Sequence, residues 1–191
     1  MNTPCAAAKD IFAKNYIQSE QYFPPKSVEA GTVPWSVLTL KKYSNTHILI
    51  YVPAVSLNEL SRFEFFSDFF LDTWFTDQSF AKMKCVSGWH LIQMAPVTDS
   101  GNKWWLEQKN LLQKFETVPS VAVLIFSVIS YFLQTGVRLY EKEYVRTVDE
   151  SVGRQRVCLC GFGKEKGIVL DTYPEFDFYH LKVSAEIVPE I

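Results

Sequence analysis

No stretch of this sequence is apolar for long enough to cross a membrane as a helix. Its most apolar run, Val121 to Leu133, has 13 residues and would cover about 20 Å of the roughly 30 Å of hydrocarbon in a bilayer. Lys114 and Glu116 on one side, and Arg138, Glu141 and Lys142 on the other, block any extension. A membrane partner is therefore not expected. Basic charge is not in surplus either: 19 Lys and Arg stand against 21 Asp and Glu. That excludes a protein that holds nucleic acid chiefly by neutralising phosphates and leaves nucleic-acid binding unsupported. Cysteine is scarce, and Cys5, Cys85, Cys158 and Cys160 make no disulfide framework for a chain of 191 residues. The opening MNTPCAAAKD places Asp10 where a secretory signal would run apolar, so the expectation is a cytoplasmic protein. Serine-hydrolase elbow, Walker loop, dinucleotide fingerprint, metalloprotease helix and zinc ribbon are all missing, and there is no internal repeat or low-complexity tract. These absences lower the motif-bearing enzyme classes without touching sites assembled from scattered residues.

Aromatic residues are what the chain has in quantity: 15 Phe, 9 Tyr and 5 Trp. A core built on rings is the plain account, because large rings dominate burial, and an aromatic binding surface is the sharper one. The run Val121 to Leu133 belongs to a helix over residues 119–135, with Thr117 as N-cap, Pro119 in the first turn and Gly136 ending it in a left-handed conformation. Apolar on nearly all sides, that helix is expected to be buried all round. Ser120, Ser127, Ser130 and Gln134 form one stripe, where small residues let another element approach closely, or line a polar groove.

Elsewhere, Thr3 and Pro4 open a short helix with Ile11, Phe12, Tyr16 and Ile17 at helical spacing. YFPPKSVEAGTVPW reads as a loop. Ser36 to Tyr43 and His47 to Val52 read as two strands around Ser44-Asn45-Thr46, a hairpin signal. Ser56-Leu57-Asn58-Glu59 matches a capping box, so a helix should start there, with Leu57, Leu60, Phe63, Phe66, Phe70 and Trp74 on one face. Trp89 to Met94 reads as a strand, and Asn102 to Phe115 as a helix opened by Asp99-Ser100-Gly101. Beyond Gly136, Tyr144 to Val148, Gln155 to Phe162, Gly167 to Asp171 and Phe176 to Val188 read as strands of a small antiparallel sheet. The expectation is a single α+β domain over residues 1–191, with antiparallel hairpins packed around the buried central helix. Its helical middle covers about 56–135, and its β-rich part about 140–188.

Several residue sets have chemical potential. Cys158 and Cys160 share one face of a strand, and His180 lies on a later segment that could pair nearby. Three such groups suggest zinc, but structural zinc takes four ligands, so half-buried thiols and a hydrogen-bonded histidine are the preferred reading and no metal is favoured. Gly161-Phe162-Gly163-Lys164-Glu165-Lys166-Gly167 resembles a phosphate cradle, yet a strand rather than a helix follows it, so a hairpin turn is expected. Glu107-Gln108-Lys109 puts its charges on different helix faces. Arg146 sits among apolar neighbours and must find a partner such as Asp149 or Asp177, unless it binds an anion. No cofactor is expected. The leading expectation is a non-enzymatic module that binds a protein or itself through surplus aromatic surface, with Trp104, Trp105, Phe70, Trp74 and Arg146 as binding candidates. An enzyme, or a small-molecule or metal binder with a scattered site, is the alternative.

Overall fold

The computed structural model describes residues 2–22, 31–177 and 180–189. It is an α+β architecture of two larger sheets on either side of one helix. The chain opens with β1 (Thr3–Pro4) and α1 (Cys5–Phe12), then β2 (Tyr16–Ile17) and β3 (Thr32–Val33). Residues 23–30 of the expected Pro-rich loop lie outside the described residues.

The first correction is α2 (Val37–Tyr43), which replaces the expected first strand of a hairpin. Ser36 caps it by accepting from Thr39 N, 3.1 Å, and only Leu40 is fully buried. A one-sided helix of this kind needs no alternation, so the β-rich look of Val37 to Leu40 carries no weight beside the cap. Strand β4 (His47–Val52) forms as expected but pairs parallel with β2 and antiparallel with β5 (Gly88–Gln93).

After Ser56 the capping box is present, with Ser56 N donating to Glu59 Oε2 at 2.9 Å. Yet α3 (Leu57–Leu60) lasts four residues. Single turns follow, at Ser67–Phe69 and Trp74–Asp77, before α4 (Ser79–Lys82). Serines and crowded Phe residues are weak helix formers, and the rings bury better on a winding path than on one stripe. Phe66 stacks on Phe126, 5.4 Å between centroids, and Phe69 meets both Phe132 and Phe162 edge-on.

The expected helix over 102–115 is shorter, α5 (Trp105–Asn110). The following β6 (Glu116–Thr117) separates it from α6 (Val121–Thr135), so the two helices are not joined directly. Ser120, not Thr117, is the N-cap of α6, and Asp149 Oδ2 accepts from Val121 N at 2.6 Å. Burial raises the Asp149 carboxyl pKa, an effect the Val121 amide opposes. Gly136 closes the helix at φ 72°. Residues Val121 to Tyr131 of α6 are all buried, which answers its all-round apolarity. Ser127 and Ser130 are fully buried, and Gln134 clamps the β2 segment by accepting from Gln18 N (3.0 Å) and donating to Tyr16 O (2.9 Å).

The C-terminal part forms β7 (Tyr144–Glu150), β8 (Arg156–Gly163) and β9 (Gly167–Tyr173), paired antiparallel. The expected last strand is instead two short ones in different sheets, β10 (Leu181–Val183) and β11 (Glu186–Ile187), and residues 178–179 lie outside the described residues. Strand β10 runs parallel to β7, so this four-stranded sheet, in the order β10-β7-β8-β9, is mixed rather than antiparallel. Strand β11 inserts between β5 and β6 in the other sheet, ordered β2-β4-β5-β11-β6. Ile48, Ile50 and Ile92 face α6, whereas Leu49 and Leu91 pack on α1 and α2 with Phe12 and Leu40. Val145, Val157, Leu159 and Leu170 bring the four-stranded sheet onto the opposite side of α6. At Gly167 (φ 59°) a Cβ would fall 2.4 Å from Phe69 O, so the β8–β9 turn requires glycine there. No helix among the described residues is long and apolar enough to cross a membrane.

Candidate functional site

Because side chains alternate along a strand, β7 sends Val145 towards α6 and Arg146 to the outer face of the four-stranded sheet. Helix α5 covers that face. Arg146 is fully buried, and its guanidinium spreads over four acceptors. Nη1 donates to Gln108 Oε1 (2.8 Å) and Lys103 O (3.2 Å), and Nη2 to Pro174 O (3.1 Å) and Asp177 O. Gln108, also fully buried, donates in turn to Ser100 O and Leu181 O, both 2.8 Å. Residues 100–108, β7, residues 174–177 and β10 meet at this unit. The expected carboxylate partner is thus replaced by carbonyl and amide oxygens. Asp149 caps α6 instead, and Asp177 contributes its main-chain oxygen. Burial lowers the Arg146 pKa, and the potentials of Cys158, Asp177 and Glu175 oppose that.

A second arginine fastens α5 from β8. Arg156 Nε donates to Glu175 Oε1 (2.9 Å), and Nη1 donates to Val148 O (2.7 Å). Nη2 reaches Glu150 at 2.5 Å and Glu175. The face of the guanidinium lies 4.5 Å from the Trp105 ring centroid. Trp105 is thereby held inside, 3% exposed, while its neighbours project outward: Trp104 is 56% exposed and Leu106 64%. Trp105 N donates to Glu175 O at 3.0 Å, which draws α5 alongside Phe176, itself 71% exposed. Phe176 also walls an open cleft of about 800 Å³, together with Glu150, Arg154, Gln155, Pro174 and Glu175.

Of the aromatic candidates, Phe70 is buried and bridges to Ile168 on β9. Trp74 is exposed at 38% and donates from Nε1 to Leu170 O, 3.0 Å. Both therefore anchor the Phe-rich segment to the C-terminal sheet, away from the Trp104 face. Cys158 is buried opposite Arg146 in the β7–β8 pairing, and burial pushes its thiol well up. Cys160 is half-buried near Tyr173, its pKa pushed up to about 12 chiefly by burial. His180 is not on a strand. It sits exposed in a left-handed turn at φ 61°. Among the described residues no three His, Cys, Asp or Glu come together in a way that could hold a metal ion, and all four cysteines are free thiols. The Gly163–Gly167 segment is a hairpin turn, with the two glycines paired. Glu107 spends its carboxylate on Trp104 N at 2.8 Å.

Sequence reasoning singled out Trp104 and Arg146 but passed over Gln108, Arg154, Arg156 and Phe176. Only the odd placement of Arg156 at the start of an apolar strand, the same signal that marked Arg146, pointed that way. The site is thus a surface of exposed rings and mixed charge on an α+β scaffold. Comparison with family models, curated proteins and solved structures finds no significant match to this chain.

Proposed function

We propose that this chain is a non-enzymatic module that acts by self-association through the Trp104 face, with a second copy of the chain as the occupant. One observation carries the reading. Trp104, Leu106 and Phe176 are each more than half exposed and lie on segments joined by the Trp105 N to Glu175 O bond, and Phe176 walls a cleft of both charge signs. A two-fold contact must be complementary to itself, each residue meeting its counterpart's neighbour. The mixed charge supports the reading: Arg154 of one copy would oppose Glu150 or Glu175 of the other, with the rings at the centre. Trp and Arg are also the residue types that dominate binding energy at interfaces. Such a contact needs roughly 800 Å² from each copy. The small net charge of −2 gives little repulsion between copies.

Native mass spectrometry and sedimentation velocity of the full chain, purified without chelators, test the proposal. The expected result is a dimer, weakened at least about tenfold by Trp104→Ser with Phe176→Ser, and by Arg154→Glu. A wild-type chain that stays monomeric at about 100 μM, well above the Kd of a weak specific contact, overturns it. So does a dimer indifferent to these substitutions.

A further inference from the structure

Strands β10 and β11 form one short unit with a place in each of the two larger sheets, and the residues between them, Ser184 and Ala185, are fully buried. The groups that receive this unit lie earlier in the chain. Ser100 Oγ accepts from Val183 N at 3.2 Å, and Gln108 Nε2 donates to Leu181 O at 2.8 Å. Val97 N donates to Val183 O (2.8 Å) and Gln93 N to Ala185 O (2.9 Å). Tyr140 and Ser184 share a hydrogen bond of 2.9 Å between their hydroxyls. Lys182 Nζ pairs with Glu143 at 2.7 Å, and His90 Nδ1 with Glu186 Oε1 at 2.5 Å. The receiving strands β5, β6 and β7 and these side chains all fall within residues 88–146. A second copy of the chain carries the same unit and meets the same partners.

Strain marks the boundary of the unit. Before it the chain is fastened: Arg146 donates to Pro174 O and Asp177 O, and Trp105 N to Glu175 O. After it Leu181 begins β10. Between these points His180 is exposed and adopts φ 61°, the left-handed region that a residue with a Cβ occupies only at a cost. A strained connection next to a terminal element favours exchange of that element between identical chains, because opening releases the strain while the contacts of the element are remade in the partner. We propose that two copies of this chain exchange β10 and β11, so that residues 181–187 of each copy pair with β7, β5 and β6 of the other. The exchange is reciprocal and therefore closes at two copies. It does not depend on contact through the Trp104 face.

Two single variants test this, Thr117→Cys and Glu186→Cys, at half-buried positions that face each other across β6 and β11, where the cross-strand spacing suits a disulfide. The two purified chains, mixed in equal amounts and held at about 100 μM before oxidation, should yield a linked pair in which peptide mass spectrometry finds position 117 of one chain bonded to position 186 of the other. Both substitutions in one chain, oxidised when dilute, should instead close within that chain. His180→Gly removes the strain and should lower the yield of the linked pair about fivefold. Without any substitution, an exchanged dimer should persist for hours after dilution, whereas a weak surface contact dissociates within seconds. Absence of a 117–186 bond between chains overturns the proposal, as does a yield unchanged by His180→Gly or a wild-type dimer lost within seconds of dilution. A dimer abolished by Trp104→Ser with Phe176→Ser, in a chain that forms no such bond, belongs to the surface contact alone and also overturns exchange.

Discussion

Two arginines on neighbouring strands hold the same helix to the same sheet face by opposite means. Arg146 is sealed from water and is met by three carbonyls and an amide oxygen. Arg156 keeps 8% of its surface exposed and is met by Glu150, Glu175 and the face of Trp105. The carboxylates beside Arg156 remain 44% and 49% exposed in their side chains, so solvent screens that pairing and limits its worth. Carbonyl dipoles around Arg146 are already fixed by the backbone and bring no second charge to desolvate. A fully buried cation is therefore held here by main-chain geometry, and a rim cation by ion pairing. The first arrangement is costly to disturb, and the second is adjustable.

The sharpest way to break this contrast is Arg146→Ala. It strands four acceptors and opens a cavity, so urea unfolding should show a loss of about 3–5 kcal/mol and a melting temperature roughly 10 °C lower. A loss below about 1 kcal/mol would show that the carbonyl set does not bear on stability. Gln108→Leu removes one acceptor from Arg146 and leaves Ser100 O and Leu181 O without their donor, for an expected loss of about 2–3 kcal/mol. Arg156→Ala should cost about 1–2 kcal/mol, mostly through the Trp105 contact. Raising the salt to about 1 M should erode the Arg156 contribution but leave that of Arg146 intact, because only exposed pairs are screened at that ionic strength. A third buried base sharpens the comparison through pH. His47 has its pKa lowered from 6.5 to about 4 by burial, so between those values the unfolded chain takes up a proton that the folded chain refuses. Stability is then full above about pH 6.5 and falls as pH drops towards 4, by up to about 3 kcal/mol. His47→Asn should flatten that slope, and an unchanged slope would assign it to other groups.

The parts legible in the sequence were those with local signals. Helix α6 announced itself by composition and by Gly136, and the Ser56 capping box by four residues. The hairpin turn at residues 163–167 was readable from its glycines. What failed depended on distant partners. Helix α2 resembled a strand because its few apolar residues did not show which of them would be buried. The Phe63 to Trp74 stripe had helical spacing, yet its rings found better burial on α6 and β9 than one straight helix allows. On the candidate face, Trp104 was legible as an aromatic surplus. The cleft walled by Phe176 was not, because residues 150–155 and 174–176 have to meet before it exists.

The split of the last strand between two sheets has a consequence in time. Strand β11 sits inside the five-stranded sheet, between β5 and β6, although it lies 93 positions after β5 ends, at Glu186 against Gln93. During synthesis that slot stays open while the intervening chain emerges, and β5 meanwhile presents a bare edge of unpaired amides and carbonyls. The segment from Leu181 to Ile187 thus acts as a latch: Leu181–Val183 pairs into one sheet and Glu186–Ile187 into the other. Long-range closure of this kind makes for slow folding.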